Sequence, residues 1–286
     1  MNPIQSAHPN GHFYSPVCNP HELWERQDEI WRQPLAPVLG VDFNDAMHLT
    51  ILREWFPRQL PAYDYPEQGS ADEALTHYYT ANSQFGWLDS RALFVFMREL
   101  RPRRIVEVGS GYSSMLMADV NQRFLDGACE IRCIEPYPRA FLQRGVPGIR
   151  EVIVQPVQRV PMTVYERLQA GDFLFIDSSH VCKTGSDVNH LFFEVLPRLA
   201  PGVLVHIHDI PLPNEYKPEW AIQENRSWNE LYLLRALLMY STAFETVFGC
   251  DYAYTRFPEA VRTALALPNG AAFGGGSYWI RRLAPR

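Results

Sequence analysis

The ten residues Ile105-Val106-Glu107-Val108-Gly109-Ser110-Gly111-Tyr112-Ser113-Ser114 leave this chain few ways to fold. An apolar run interrupted by one acid, then Gly-x-Gly, reads as a buried strand breaking into a tight turn that opens a helix. Glycine is needed there because the turn wants unusual backbone angles and because a ligand must approach the main chain closely. The third glycine of the dinucleotide-binding pattern is replaced by Ser114, which removes support for a pyrophosphate ligand. Two acids stand out instead: Glu107 before the turn, and Glu135 after the next apolar run, Ile131 to Ile134. An acid ending the second strand is where a doubly wound sheet holds ribose hydroxyls. An acid beside the turn suits a ligand that carries positive charge. S-adenosylmethionine (SAM), with its amine and sulfonium, meets both demands; some other nucleotide on a Rossmann-like sheet is the alternative.

The rest of the pattern supports such a sheet. Strands are predicted at 105–108, 131–134, 151–154, 172–176 and 203–207, with helices or loops at 112–124, 138–143, 161–168 and 186–199 between them. Strands alternating with helices argue for a parallel sheet covered on both faces. A helix over Leu88 to Leu100 leads into the sheet, and Pro102 marks its end. After a long segment, 209–226, comes a helix from Asn229 to Tyr240, then two closing strands, Phe244 to Phe248 and Tyr278 to Arg281, with Gly274-Gly275-Gly276 as a turn into the last. Upstream, apolar and aromatic residues recur at helical spacing from His21 to Trp31 and from Asp42 to Phe56, and Ala71 to Tyr79 suggests one more short helix. Residues 1–80 are therefore read as a mainly helical extension or lid, and 81–286 as the catalytic domain.

Composition narrows the partners. With 26 basic against 32 acidic residues and a net charge of −6, the chain has no basic footprint for nucleic acid or an anionic membrane. Five cysteines with no Cys-x-x-Cys give neither a disulfide framework nor a zinc knuckle. No basic segment followed by an apolar core opens the sequence and no apolar run approaches membrane-spanning length, so the expectation is a cytoplasmic protein. The aromatic-rich extension could serve a homodimer.

Glu107-Val108-Gly109-Ser110-Gly111 with Glu135, the block Gly171 to His180 (Gly-Asp-Phe-Leu-Phe-Ile-Asp-Ser-Ser-His) and the block Leu199 to Asp209 (Leu-Ala-Pro-Gly-Val-Leu-Val-His-Ile-His-Asp) resemble, in that order, class I SAM-dependent methyltransferases. The last two blocks resemble the metal-assisted O-methyltransferase branch, which includes macrolide-sugar methyltransferases and cephalosporin-hydroxylase-like proteins. The resemblance covers roughly Tyr78 to Phe248. It implies a Rossmann-like α/β fold with a seven-stranded sheet whose last strand inserts antiparallel beside the fifth. It also implies SAM held by Glu107, Gly109, Ser110, Gly111, Ser113, Glu135 and Asp177, and transfer of its methyl group to a hydroxyl of a small molecule or saccharide.

Every polar residue of interest falls at a strand end. Asp177 to His180 follow the fourth strand and His208-Asp209 the fifth, so these side chains can converge. Two carboxylates and one or two imidazoles brought together are costly unless a cation neutralises them. We therefore expect a divalent metal on Asp177, His208 and Asp209. The resembling branch carries an acid pair where His208-Asp209 stands, and the mixed set tolerates Mg, Mn, Fe, Co or Zn. His180 occupies the position where that branch has a histidine proposed to take the substrate proton; His180 and Asp209 are the expected catalytic residues. His206 reads as a core histidine. Tyr78, Tyr79, Asn82 and Phe85 could close over the cofactor or simply pack. Tyr216, Trp220, Arg226 and Trp228 lie in or after the long loop and should wall the acceptor pocket, although Trp228-Asn229-Glu230 equally fits a helix start. Three rivals remain open: a metal-independent N- or C-methyltransferase, a non-haem iron oxygenase with an Asp/His triad, and a SAM-binding protein without catalysis.

Overall fold

The computed structural model describes residues 6–32, 38–71, 74–267 and 274–284. Seven strands form one sheet: β1 (Arg104–Val108), β2 (Glu130–Ile134), β3 (Glu151–Ile153), β4 (Phe173–Ile176), β5 (Leu204–Ile207), β6 (Phe244–Gly249) and β7 (Tyr278–Arg282). Their order is β3-β2-β1-β4-β5-β7-β6. The first five run parallel, and β7 lies antiparallel between β5 and β6. This is the topology expected above.

The pleat sends alternate residues of β4 to opposite faces, and both faces are apolar. Phe173 and Phe175 pack with Phe96, Leu116 and Trp279; Leu174 and Ile176 pack with Leu191, Val205, Leu231 and Ile280. Burial on both sides explains why these strands are continuous apolar runs. The first face is covered by α1 (Trp87–Leu100) and α2 (Tyr112–Phe124), and α3 (Glu230–Leu238) packs on the second.

Register sets up the site. Val108 pairs with Ile134 and Ile176, and Ile176 pairs with Ile207, so β1, β2, β4 and β5 end at one level. The next residues keep the ladder going: Asp177 N–H donates to Val108 O at 2.8 Å, and His208 N–H to Ile176 O at 2.9 Å. Gly109, Asp177 and His208 therefore emerge side by side.

The extension is only partly as expected. Helices at Pro20–Glu25 and Gln27–Ile30 meet at Arg26 rather than running unbroken. The next helix starts at Asp45, later than Asp42, because Asn44 sits at φ 57° and its side chain caps Met47 N–H at 3.3 Å. It continues through a π turn, Ile51–Trp55, to Phe56–Gln59. Ile51 and Phe56 are fully buried in the core shared with Phe248 and Trp279, so this half of the extension is a layer of the domain. The earlier half docks on the long loop after β5, where Trp31 Nε1 donates to Tyr216 O at 2.7 Å and Cys18 N to Ser227 Oγ at 3.0 Å. Of the helix expected over Ala71 to Tyr79, two residues lie outside the described ones, and 75–79 is irregular. There the chain is held by long-range bonds instead, with Thr80 and Ala81 N–H donating to Pro66 and Glu67 carbonyls. The expected helix over 186–199 breaks into Asp187–His190, a π turn Leu191–Val195 and a short 3₁₀ turn Leu196–Arg198 that carries Pro197. No helix among the described residues is long and apolar enough to cross a membrane.

Candidate active site at the strand ends

The turn after β1 forms one wall of a cavity of about 240 Å³, lined also by Gln84, Phe85, Glu135, Tyr137 and Asp177. Gly109, at φ +77°, passes so close to β4 that a Cβ would collide with the Asp177 carbonyl oxygen. Gly111 differs: its φ of −168° suits any residue, and a Cβ there would meet nothing within 4 Å. Its bare backbone opens the cavity at the start of α2. Ser110 and Ser113 line the same cavity. Glu135 accepts Ser110 N–H at 3.1 Å on one oxygen and Tyr137 N–H at 2.8 Å on the other, leaving each oxygen a lone pair for a ligand hydroxyl.

Glu107 does not line this cavity. It is completely buried and turned toward the protein, accepting from Ser113 Oγ (2.6 Å), Ser114 Oγ and Cys133 Sγ (3.2 Å). In this position it braces the first turn of α2. Burial raises its pKa to about 7 from the ordinary 4.5, against the pull of those donors. The folded state therefore holds a proton that the unfolded state has lost, and stability falls as pH rises through this window. Glu107→Gln should flatten that slope, so that the melting temperature of the parent relative to the variant is higher at pH 5 than at pH 8. Parallel melting curves at both pH values would contradict the assignment.

The second group of side chains sits beyond β4 and β5. His180 Nε2 stands 3.5 Å from Asp177 Oδ1 and 3.6 Å from Asp209 Oδ2, and one ligand atom from each of the three lies within 4.8 Å of the others. His208 Nδ1 is 3.5 Å from Asp177 Oδ1 and 3.7 Å from Asp209 Oδ1. His180 and Asp209 both hold left-handed backbone, φ 60° and 55°, a strain tolerated chiefly where a site needs it. His206, by contrast, is core: its ring stacks on Phe175 at 3.7 Å and bonds Ser277 Oγ at 2.8 Å.

The chemistry of this donor set fits a divalent cation. Two ligand atoms bound at about 2.1 Å to one ion stand about 3.0–3.4 Å apart at octahedral or tetrahedral angles, close to the spacings seen here. Without such an ion the carboxylates hold the imidazoles charged. Burial opposes charge on His180, but Asp177 and Glu230 outweigh it and lift its pKa to about 9. Burial likewise opposes charge on His208, and Asp209 and Asp177 push it well above its ordinary value. The carboxylates thus provide for positive charge at this point.

Two further acids were not anticipated. Glu230, the first residue of α3, is fully buried with Oε2 2.9 Å from His180 Nδ1. Asp89, in the first turn of α1, is buried, accepts Gly276 and Ser277 N–H at 3.0 and 2.7 Å, and stands 3.5 Å from His208 Nε2. The only sequence signal for either is an acid near a helix start, which is ordinary.

Asp89, Asp177, His208 and Asp209 form the inner wall of a larger cavity of about 860 Å³. It shares Gln84 and Asp177 with the smaller one, and its far side carries Lys217, Trp220, Arg226, Asp251 and Tyr254. Trp220 lies between two cations, Lys217 Nζ at 4.8 Å and Arg226 Cζ at 4.9 Å from its ring centre. Burial raises Asp251 to about 6. Of the other aromatics considered, Tyr78 is a core residue and Trp228 packs on His180 at 4.3 Å.

A seven-stranded Rossmann-like sheet with β7 inserted antiparallel, and a glycine turn facing an acid at the end of β2, fit a SAM-dependent methyltransferase domain. The family described as "Methyltransferase domain" matches residues 106–210. Over 167 residues the chain is 41% identical to an uncharacterized protein of Archaeoglobus fulgidus, a match spanning 56% of this chain and 73% of that one, and it belongs to the same family. Among solved structures it is similar to the O-methyltransferase from Bacillus cereus in complex with SAH (16% identity, 92% of this chain and 99% of that one, TM-score 0.39). A Klebsiella pneumoniae protein described as a candidate O-methyltransferase is similar to the same degree (16% identity, 91% and 95% covered, TM-score 0.37).

Proposed function

We propose that this enzyme methylates a hydroxyl oxygen of a small molecule or saccharide, with a divalent cation at Asp177, Asp209 and the neighbouring imidazoles. The observation that carries this reading is the meeting of the two cavities at Gln84 and Asp177, beside the His180–Asp209 cluster. A cofactor in the smaller cavity and an acceptor in the larger would face each other there. SAM bound there would supply its sulfonium methyl group to the acceptor oxygen and leave as S-adenosylhomocysteine, and the hydroxyl proton would pass to an imidazole.

A cation bound there would hold the hydroxyl and lower its pKa. Asp177 and Asp209 would anchor it from neighbouring strands. His180 Nε2 and His208 Nδ1 both face that point, and whichever is not a ligand can accept the proton. Phe85, 5.4 Å from the His208 ring, and Trp228, on His180, keep water from the two imidazoles. On the far side, Trp220 with the Lys217 and Arg226 cations over its ring would meet the acceptor. The early part of the extension, docked on the loop that carries Trp220, would act as a lid over the acceptor.

The test is transfer of labelled methyl from SAM to a panel of small hydroxyl compounds and saccharides, with and without chelator and added Mg²⁺ or Mn²⁺. Labelled ether formed only with metal is expected. Transfer to nitrogen or carbon, or full rate in chelator, would favour the metal-independent alternative.

A further inference from the structure

We propose that Glu230 is a positioning residue that fixes the His180 ring, so that Nε2 is a ligand of the cation rather than the base that takes the acceptor's proton. This rests on the cation reading above and decides between the two imidazoles.

A fully buried carboxylate is costly without strong partners. Glu230 has three contacts: His180 Nδ1 at 2.9 Å and Ser178 Oγ at 3.2 and 3.3 Å from its two oxygens. It is also the first residue of the nine-residue α3, where the helix favours negative charge. The backbone of the same helix start shapes the His180 loop. His180 O accepts Asn229 N–H at 3.0 Å and Glu230 N–H at 3.2 Å. The Asn229 side chain accepts from Cys182 N–H at 2.5 Å and donates to Cys182 O at 3.3 Å. The left-handed backbone at His180 is held by these bonds.

In the neutral ring that binds a cation, Nδ1–H committed to Glu230 leaves the lone pair on Nε2, which faces Asp177 and Asp209. A metal-bound histidine usually gives its other ring N–H to a carboxylate, which sets the tautomer and strengthens the ligand. His208 has only a looser counterpart: its Nε2 stands 3.5 Å from Asp89, an ion-pair distance, against 2.9 Å for His180 Nδ1 and Glu230. Of the two imidazoles, His180 is the one built as a ligand, which leaves His208 Nδ1 to take the proton.

The experiment titrates the parent, Glu230→Gln and Glu230→Asp with Mn²⁺, read by electron paramagnetic resonance, with SAM affinity measured by calorimetry on each. Glu230→Gln should lose about 10- to 100-fold in Mn²⁺ affinity, and Glu230→Asp, which withdraws the charge from Nδ1, about tenfold, while SAM affinity stays within about twofold. Protein labelled with ¹⁵N-histidine should show nitrogen coupling to Mn²⁺ that is weakened in Glu230→Gln and lost in His180→Gln. A purely structural role for Glu230 would lower SAM affinity in step and leave the coupling intact. Parental Mn²⁺ affinity in either Glu230 variant, or coupling that survives in His180→Gln, overturns the inference and leaves the cation reading standing. A parent that binds no Mn²⁺ overturns both.

Discussion

Gly111→Val is expected to weaken SAM binding at least about a hundredfold, equivalent to roughly 2.7 kcal/mol, with a melting temperature close to that of the parent. The expectation rests on an unusual separation of two glycine roles. Gly111 lies outside the left-handed region and has open space where its Cβ would be, so a side chain there meets no neighbouring atom of the empty protein. That open space is the cavity itself, at the start of α2, and a branched side chain would stand between the ligand and the main chain. The Gly111 N–H, bonded to Ser114 Oγ at 3.0 Å, is untouched. Gly109→Val is the contrasting control, because its side chain would strike the Asp177 carbonyl and should cost folding as well as binding. Calorimetry that finds equal SAM affinity in Gly111→Val and the parent would place the cofactor elsewhere.

Asp209→Asn should lower metal-stimulated methyl transfer by about two to three orders of magnitude and leave SAM affinity nearly unchanged. Loss of a cation that polarises the acceptor oxygen removes several kcal/mol of transition-state stabilisation, and each 1.36 kcal/mol is about tenfold in rate. Asparagine is the informative substitution because Asp209 sits at φ 55°, and asparagine tolerates that region better than other residues with a side chain. It keeps the shape and removes the charge, whereas alanine would add backbone strain of about 1–2 kcal/mol. Asp209 does not line the small cavity, so binding of SAM serves as an internal measure of folding. Turnover of Asp209→Asn with an unchanged response to Mn²⁺ would remove Asp209 from the ligand set.

Sequence reading reached the sheet because its signals are local. β4 and β5 are buried on both faces, so each is a short unbroken apolar run, and the residue after each run must stand at the ligand-binding edge. That places Asp177 and His208 without any knowledge of packing. Partners recruited from far along the chain were not legible. Glu230 reaches His180 across 50 residues and Asp89 approaches His208 from α1; each looks like a common first-turn acid. The inward turn of Glu107 was hidden for a related reason: its place in the motif says that it is near the turn, but only the hydroxyls of Ser113 and Ser114 decide that it points inward. Ala71 to Tyr79 has helical spacing because Leu75 and Tyr78 are buried, yet their burial comes from an irregular path pinned to the Pro66 loop.

The insertion of β7 between β5 and β6 makes the order of synthesis matter. Every residue lining the small cavity lies at or before Asp177, so a ribosome-bound chain that has emerged through β4 already possesses them all. The larger cavity is different. It needs Asp209 and Trp220 from beyond β5, Asp251 after β6, and finally Gly276, whose amide binds Asp89 and whose carbonyl takes the Ile210 N–H. Until β7 arrives, β5 is an open edge able to pair with another chain. The larger cavity is therefore the last part of the molecule to close, and it is the part most exposed to errors of termination or premature release.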